Sequence, residues 1–400
     1  MFGDKQLVVV EDTRDLESLS EKLVDVPVLG VDTEADSFHH YRERVCLIQI
    51  SDLEMDYIID PLKIEDCSSL RRLFSNPDQV VIMHGSDYDV VSLRRDYGIQ
   101  FHRIFDTMIA ALFLALPRIG LADLIHRYFG HTIDKQYQRH DWSSRPLLEE
   151  HLEYARGDTH FLLALREVLN RKLRQNNRLA AFEEECSLLA QRVWTGRSQD
   201  PAAFFRVKRS RSLDEDGLRV LRALWDYRDK RAQKLDRPAF KVLSDSIMLS
   251  IASEKPQSRD SLHQLIRKNS ALARKHGEDL LDTVKSGLSD ERPLPKRPKS
   301  KGRHTTSAPG IDRLLVPLKK WRNNIVETRG LSPVVVVNNT LLKEIARAHP
   351  TSLEELSTVP GIRQWQVRDL GDDILGVIQG VVPPNRPGRK RRRKKTTLES

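Results

Sequence analysis

Cysteine is scarce in this 400-residue chain: only Cys46, Cys67 and Cys186 occur. Their number is odd, their spacing is not that of a metal site, and no CxxC is present. This excludes a disulfide framework and fits thiols used as core filler in a reducing compartment. No GxxxxGK[ST], GxGxxG or HExxH appears, which removes the common phosphate-loop, dinucleotide and zinc-protease patterns. Long apolar runs are also missing. The longest, Met108–Leu116, is nine residues and stops at Pro117, too short to cross a bilayer. The opening MFGDKQLVVVED does not read as a secretory signal. A soluble, cytoplasmic protein with no membrane partner is expected. What is present is 39% hydrophobic content, enough to build packed cores in two to four domains.

Net charge is +9, but it is unevenly spread. Residues 1–208 hold 26 Lys/Arg against 34 Asp/Glu, whereas 386–400 hold eight against one. A second basic stretch covers 291–310. A basic arm beside an acidic body points to a polyanionic partner, nucleic acid above all; a solubilising tail is the plainer alternative.

Residues 1–205 read as α/β. Short apolar strands (Leu7–Val10, Val26–Val31, Cys46–Ile50, Tyr57–Ile59, Val80–Met83) alternate with helical periodicity. Beyond Pro146 the pattern is helical to near Lys255, with a break around Asp200-Pro201. A long repeat follows. Arg228/Arg322, Ala252/Ala346, Pro256/Pro350 and Leu262/Leu356 are all 94 apart. That period is too long for a solenoid and implies two copies of one small helical domain, at 209–290 and 311–382. The Pro-, Lys- and Ser-rich segment 291–310 reads as a linker, and 383–400 as a disordered basic tail.

Chemistry is suggested by three acidic clusters. GVDTEADS places Asp32 and Glu34 two apart at the end of an apolar strand, so both project from one face. Like charges that close repel unless a cation or proton lies between them. A polar strand end facing water is the plain alternative, and Asp-x-Glu also occurs at Asp15/Glu17 and Asp52/Glu54. In VVIMHGSDYDVVSLRRDYG, Val80–Met83 is a strand and Asp87 begins a helix closed by Gly98. Either Asp87 or Asp89 can serve a strand-end site, and Asp87 can equally cap the helix. In RPLLEEHLEYARGDTHFLLALREVL, Pro146 suits a first helical turn. Leu148, Leu152, Ala155, Leu162 and Leu169 make an apolar face. Tyr154 and Asp158 meet at i and i+4. Gly157, mid-helix, is explained if backbones approach closely there; simple tolerance of the glycine is the alternative. Four carboxylates and a phenol, if they converge, suit two divalent cations holding a phosphodiester, and hard oxygen ligands favour Mg²⁺ or Mn²⁺.

VDTEADSFHHYRERVCLIQIS, HGSDYDVVSL and DWSSRPLLEEHLEYARGDTHFLL resemble the three motifs of the ribonuclease D family, DEDD-superfamily exonucleases with a tyrosine in the third motif. The two repeats resemble the helicase-and-ribonuclease-D C-terminal (HRDC) domain. LWDYRDKRAQKLDRPAFKVLSD is the closer copy; the second keeps WRNN and VPGI. The resemblance implies an α/β RNase H-like exonuclease domain (1–205) followed by two small all-α HRDC domains. It implies 3′–5′ hydrolysis of RNA to nucleoside 5′-monophosphates, with transfer-RNA precursors as the family's usual substrate and a monomeric enzyme. It also selects Asp89 over Asp87. By carry-over, Asp32, Glu34, Asp89 and Asp158 would be the ligands of two divalent cations, Tyr154 would orient the attacking water, and Glu34 would meet the terminal 3′-hydroxyl. His84 would contact substrate or support structure, and Asp106 would cap a helix. A DNA-directed exonuclease shares all these residues. A non-catalytic nucleic-acid-binding protein would be expected to have lost a carboxylate, and none is missing.

Overall fold

The computed structural model describes residues 5–196, 200–266, 270–297 and 309–381. The proposed tail, and residues 298–308 of the linker, lie outside them. The chain divides into two compact units. One comprises Met1–Phe105, Ile125–Leu165 and Leu189–Arg303; the other comprises Asp106–Leu124, Arg166–Leu188 and His304–Ser400.

Six strands form one sheet: β1 (Gln6–Val10), β2 (Val28–Ala35), β3 (Val45–Ser51), β4 (Met55–Ile59), β5 (Val80–Met83) and β6 (Arg103–Asp106). Their order is β1-β4-β3-β2-β5-β6. β2, β3 and β4 pair antiparallel, while β1 joins β4, and β5 joins β2, in parallel. All seven residues of β3 are buried, as an interior strand covered on both faces requires. The strand expected at Val26–Val31 is shifted. It starts after Pro27 and runs through both acids to Ala35, because β3 supplies partners in register: Asp32 faces Gln49, Thr33 faces Ile48 and Glu34 faces Leu47. An irregularity between Glu34 and Ala35 then ends the regular pairing. β6 was not foreseen.

The helix after β5 spans Asp87–Tyr97 and closes on Gly98, whose φ of 69° is left-handed and natural for glycine. The third-motif helix spans Glu149–His160. Pro146 lies outside it, because Leu148 is extended and its N–H is accepted by His151 Nδ1 at 3.2 Å, so the first turn begins only at Glu149. Leu148, exposed at this helix start, does not join the apolar face.

The first helical copy packs helices Glu215–Leu235, Asp245–Glu254, Arg259–Leu265 and Ser270–Leu288 around fully buried Val220, Leu221, Leu224, Met248, Ile251, Leu280 and Val284. Its longest two helices touch at Gly287, where a Cβ would lie 2.7 Å from Val220 Cα, so only glycine fits. In the second unit, helices Pro309–Arg329, Asn339–Ala348, Leu353–Ser357 and Gln364–Val381 bury Leu318, Leu342, Ile345, Leu356 and Ile374.

The 94-residue offset is kept at the level of hydrogen bonds. Arg228 Nη1 donates to Leu243 O (3.2 Å) and Asp245 Oδ1 (2.6 Å); Arg322 Nη1 donates to Val337 O (3.2 Å) and Asn339 Oδ1 (2.9 Å). Lys255 and His349 end equivalent helices with a φ of 48°, and Ser258 and Ser352 cap the next ones. Among the described residues no helix is long and apolar enough to cross a membrane.

Candidate active site

Four elements of the first unit meet at one end of the sheet. β2 contributes Asp32 and Glu34. The Asp87–Tyr97 helix contributes Asp89, which is 8% exposed and accepts a hydrogen bond from Thr33 Oγ1 on β2. That bond ties the helix to the strand between the two acids. The helix Glu149–His160 contributes Tyr154 and Asp158. It is seated against β2 at a glycine of the strand. A Cβ on Gly30 would lie 3.2 Å from both Leu162 Cβ and Thr159 O, so the close approach occurs on the strand, two residues before Asp32. Gly157 is buried within the helix. His84 follows β5 directly and is partly exposed.

The electrostatics show that the five predicted residues are neighbours. The Asp32 carboxyl is pushed well above the usual carboxylate range, first by burial and then by the charges of Asp89, Asp158 and Glu34. Glu34 is raised to about 9 by burial, Asp158 and Asp89. Asp158 is raised to about 7 by burial and Asp89. Burial, then Asp158, Glu34 and Asp32, also hold the Tyr154 phenol above its ordinary value, so it keeps its proton at neutral pH. Each acid feels its neighbours as negative charge. Among the described residues no three side chains already converge as a metal-ligand group. The donor set nevertheless suits a hard divalent cation: four carboxylates, partly or fully buried, whose repulsion a cation would relieve.

Asp87 is not the helix cap. The helix begins at Asp87 itself, Ser86 is the N-cap, and the exposed Asp87 carboxylate pairs with Arg192 at 2.5 Å. Asp106 does cap its helix, accepting from Met108 N and Ile109 N at 2.9 and 3.0 Å.

The sequence did not disclose what fixes Tyr154. Its ring leans on buried Trp142 (centroids 5.8 Å, planes 30° apart) and meets Tyr137 edge-on (5.7 Å, 83°). Trp142 is in turn placed by Arg145. That guanidinium binds both oxygens of Asp60 (2.6 and 2.7 Å), Trp142 O (2.7 Å) and Cys46 O (3.1 Å). Trp142 and Arg145, within the DWSSRPLL that opens the third-motif segment, were the available signal. Their work is structural support for the tyrosine.

Residues 7–174 match the 3′–5′ exonuclease family, and residues 217–284 and 312–378 match the HRDC domain. Ribonuclease D of Desulfotalea psychrophila is 29% identical over 345 residues, 85% of this chain and 91% of that protein. The catalytic core of RRP6 from Trypanosoma brucei superposes with a TM-score of 0.64 at 31% identity, covering 71% of this chain and 80% of that one. Escherichia coli RNase D shares the fold across 94% of this chain and 99% of its own, with a TM-score of 0.71 and 24% identity. The chain spans only 30% to 46% of the length of the exosome-component and RRP6 relatives from worm, yeast and plant that it also matches. The sheet is therefore the RNase H-like core of an exonuclease domain, followed by a helical HRDC region. The chain belongs to the ribonuclease D/RRP6 family of 3′–5′ exonucleases.

Proposed function

We propose that this protein is a metal-dependent 3′–5′ exoribonuclease that trims RNA 3′ ends, transfer-RNA precursors among them, as a cytoplasmic monomer. Its exonuclease domain would cover residues 1–205 and its HRDC domains 209–290 and 311–382. The observation that carries the reading is the mutual repulsion of Asp32, Glu34, Asp89 and Asp158 beside a protonated Tyr154. These four carboxylates would hold two divalent cations, Mg²⁺ or Mn²⁺. Bound there, the cations supply Lewis acidity to the scissile phosphate and lower the pKa of water.

The chain's own groups do the rest. The Tyr154 hydroxyl donates to the attacking water and aims it along the line of the P–O3′ bond; its ring, clamped by Trp142 and Tyr137, cannot swing away. Glu34 accepts from the terminal 3′-hydroxyl, which selects a chain end over an internal position. His84, which follows β5 directly, would contact substrate or support the site. Water forms the new P–O bond, the P–O3′ bond breaks, and the shortened chain keeps a 3′-hydroxyl while a nucleoside 5′-monophosphate departs.

The test is digestion of matched 3′-labelled and 5′-labelled RNA and DNA, with and without divalent cation. The 3′ label should appear at once as mononucleotide, the 5′ label as a descending ladder, and neither without metal. Substantial hydrolysis in excess EDTA, or a clear preference for DNA, contradicts the proposal. Tyr154→Phe tests the phenol directly. It should lower kcat by about 10- to 100-fold while leaving KM for RNA within about twofold, because orientation is lost and packing is kept. Equal losses in both would instead give the hydroxyl a role in holding substrate.

A further inference from the structure

Behind the helix that carries Tyr154 and Asp158 lies a buried ion cluster that the proposed reaction does not use. Asp56, on β4, is 1% exposed. Its Oδ2 accepts from Arg156 Nε and His160 Nδ1, both at 2.7 Å. Its Oδ1 accepts from Ser51 Oγ at 2.7 Å, with Lys5 Nζ 3.8 Å away. Ser51 Oγ also lies 2.7 Å from Thr159 Oγ1, and Arg156 Nη2 donates to Lys5 O at 2.6 Å. Burial alone would raise the Asp56 carboxyl, but the bonds from His160, Ser51 and Arg156 reverse this and hold it below its ordinary value. Its partners thus favour the charged form.

Of the helix residues, Arg156 and His160 bond it directly and Thr159 is linked to it through Ser51. At about 100° per residue, they centre on the face opposite the one shared by Tyr154 and Asp158. A carboxylate of β4 thus holds the back of the helix while Tyr154 and Asp158 project from its front. Because a side-chain tip lies roughly 6 Å from the axis, a rotation of about 10° moves it by about 1 Å. Misplacements of that size matter to a reaction that depends on alignment.

From this juxtaposition we infer that Asp56 is a positioning residue: it fixes the rotation of the helix Glu149–His160, so that Asp158 and Tyr154 face Asp32 and Glu34. The inference rests on the proposed reading of that site. A charge buried among arginine, lysine and histidine also contributes to stability, so the test must separate position from folding.

The full chain is compared with Asp56→Asn, Ser51→Ala and, as a control for stability alone, Leu16→Ala in the helix Thr13–Leu23, where Leu16 is fully buried. Three quantities are read: the Mn²⁺ midpoint for thermal stabilisation, kcat, and KM for RNA. Asp56→Asn should raise the Mn²⁺ midpoint about tenfold and lower kcat by about 10- to 100-fold, with KM within about twofold. Ser51→Ala, which removes the Thr159 link without removing charge, should move both in the same direction by about two- to fivefold. It carries the test alone if Asp56→Asn does not fold. Leu16→Ala should lose melting temperature and leave the midpoint and kcat unchanged. Wild-type midpoint and kcat in the Asp56 and Ser51 variants, in a protein whose wild-type form binds Mn²⁺ and hydrolyses RNA, would overturn the inference and leave the site's reading intact. A wild-type chain that gains no stability from Mn²⁺ would remove that reading, and this inference with it.

Discussion

Asp158→Asn should lower RNA hydrolysis by about three orders of magnitude or more, yet raise the melting temperature of the metal-free protein by about 5 °C at pH 8. The two effects share one cause. In the folded protein the Asp158 carboxyl titrates at about 7, because burial and Asp89 oppose its charge. In the unfolded chain it releases its proton near the ordinary aspartate value. As pH rises from about 4 to about 7, the unfolded state ionises first and folding becomes progressively less favourable; above 7 the penalty levels off. Replacing the carboxylate with an amide removes that penalty, worth about 2 kcal/mol after allowing for partial exposure. The stabilisation should therefore grow across this window and be small near pH 4. Adding Mn²⁺ should reverse the ranking, since wild type gains a ligand that the variant binds weakly. Thermal melts with and without metal, at pH 4, 6 and 8, check it. A variant that is inactive but no more stable than wild type without metal would show that the repulsion is already relieved within the protein.

The second large effect separates two aspartates only two residues apart. Asp89→Asn should cost about two to four orders of magnitude in rate, because it takes a buried charge from the site and weakens the anchor to Thr33. Asp87→Asn should leave the rate unchanged and shift stability by no more than about 0.5 kcal/mol, since it breaks only an exposed ion pair with Arg192. Single-turnover rates of the two variants at saturating metal decide the matter. The reverse ranking would mean that the second motif is aligned two residues out of place.

The sequence was most informative where local chemistry and global structure agree. Val80–Met83 is found at its expected bounds, and the helix from Asp87 ends at Gly98 as glycine demands. The repeat was legible because the same residues recur at a fixed offset, and both arginines donate to the equivalent backbone carbonyl. Elsewhere a partner distant in sequence decided the outcome. β2 continues through Asp32 and Glu34 because β3 offers it backbone partners, which no property of VDTEA reveals. Pro146 falls outside its helix because His151 reaches back to Leu148. Trp142 and Arg145 stood in plain view, but their purpose depends on Asp60, 85 positions from Arg145. The carboxylates could be named from motif spacing; the glycine that lets their helix approach, Gly30, could not.

The arginine clasps of the two helical copies have one further consequence. They are wired alike but end differently: Arg228 meets the carboxylate of Asp245, and Arg322 the neutral amide of Asn339. A bond between opposite charges weakens as mobile ions crowd round it, whereas a bond to an amide is nearly indifferent to them. Asp245 is more than half exposed, so the surrounding electrolyte reaches it. The duplicated module thus holds one copy whose latch loosens with ionic strength and one whose latch does not.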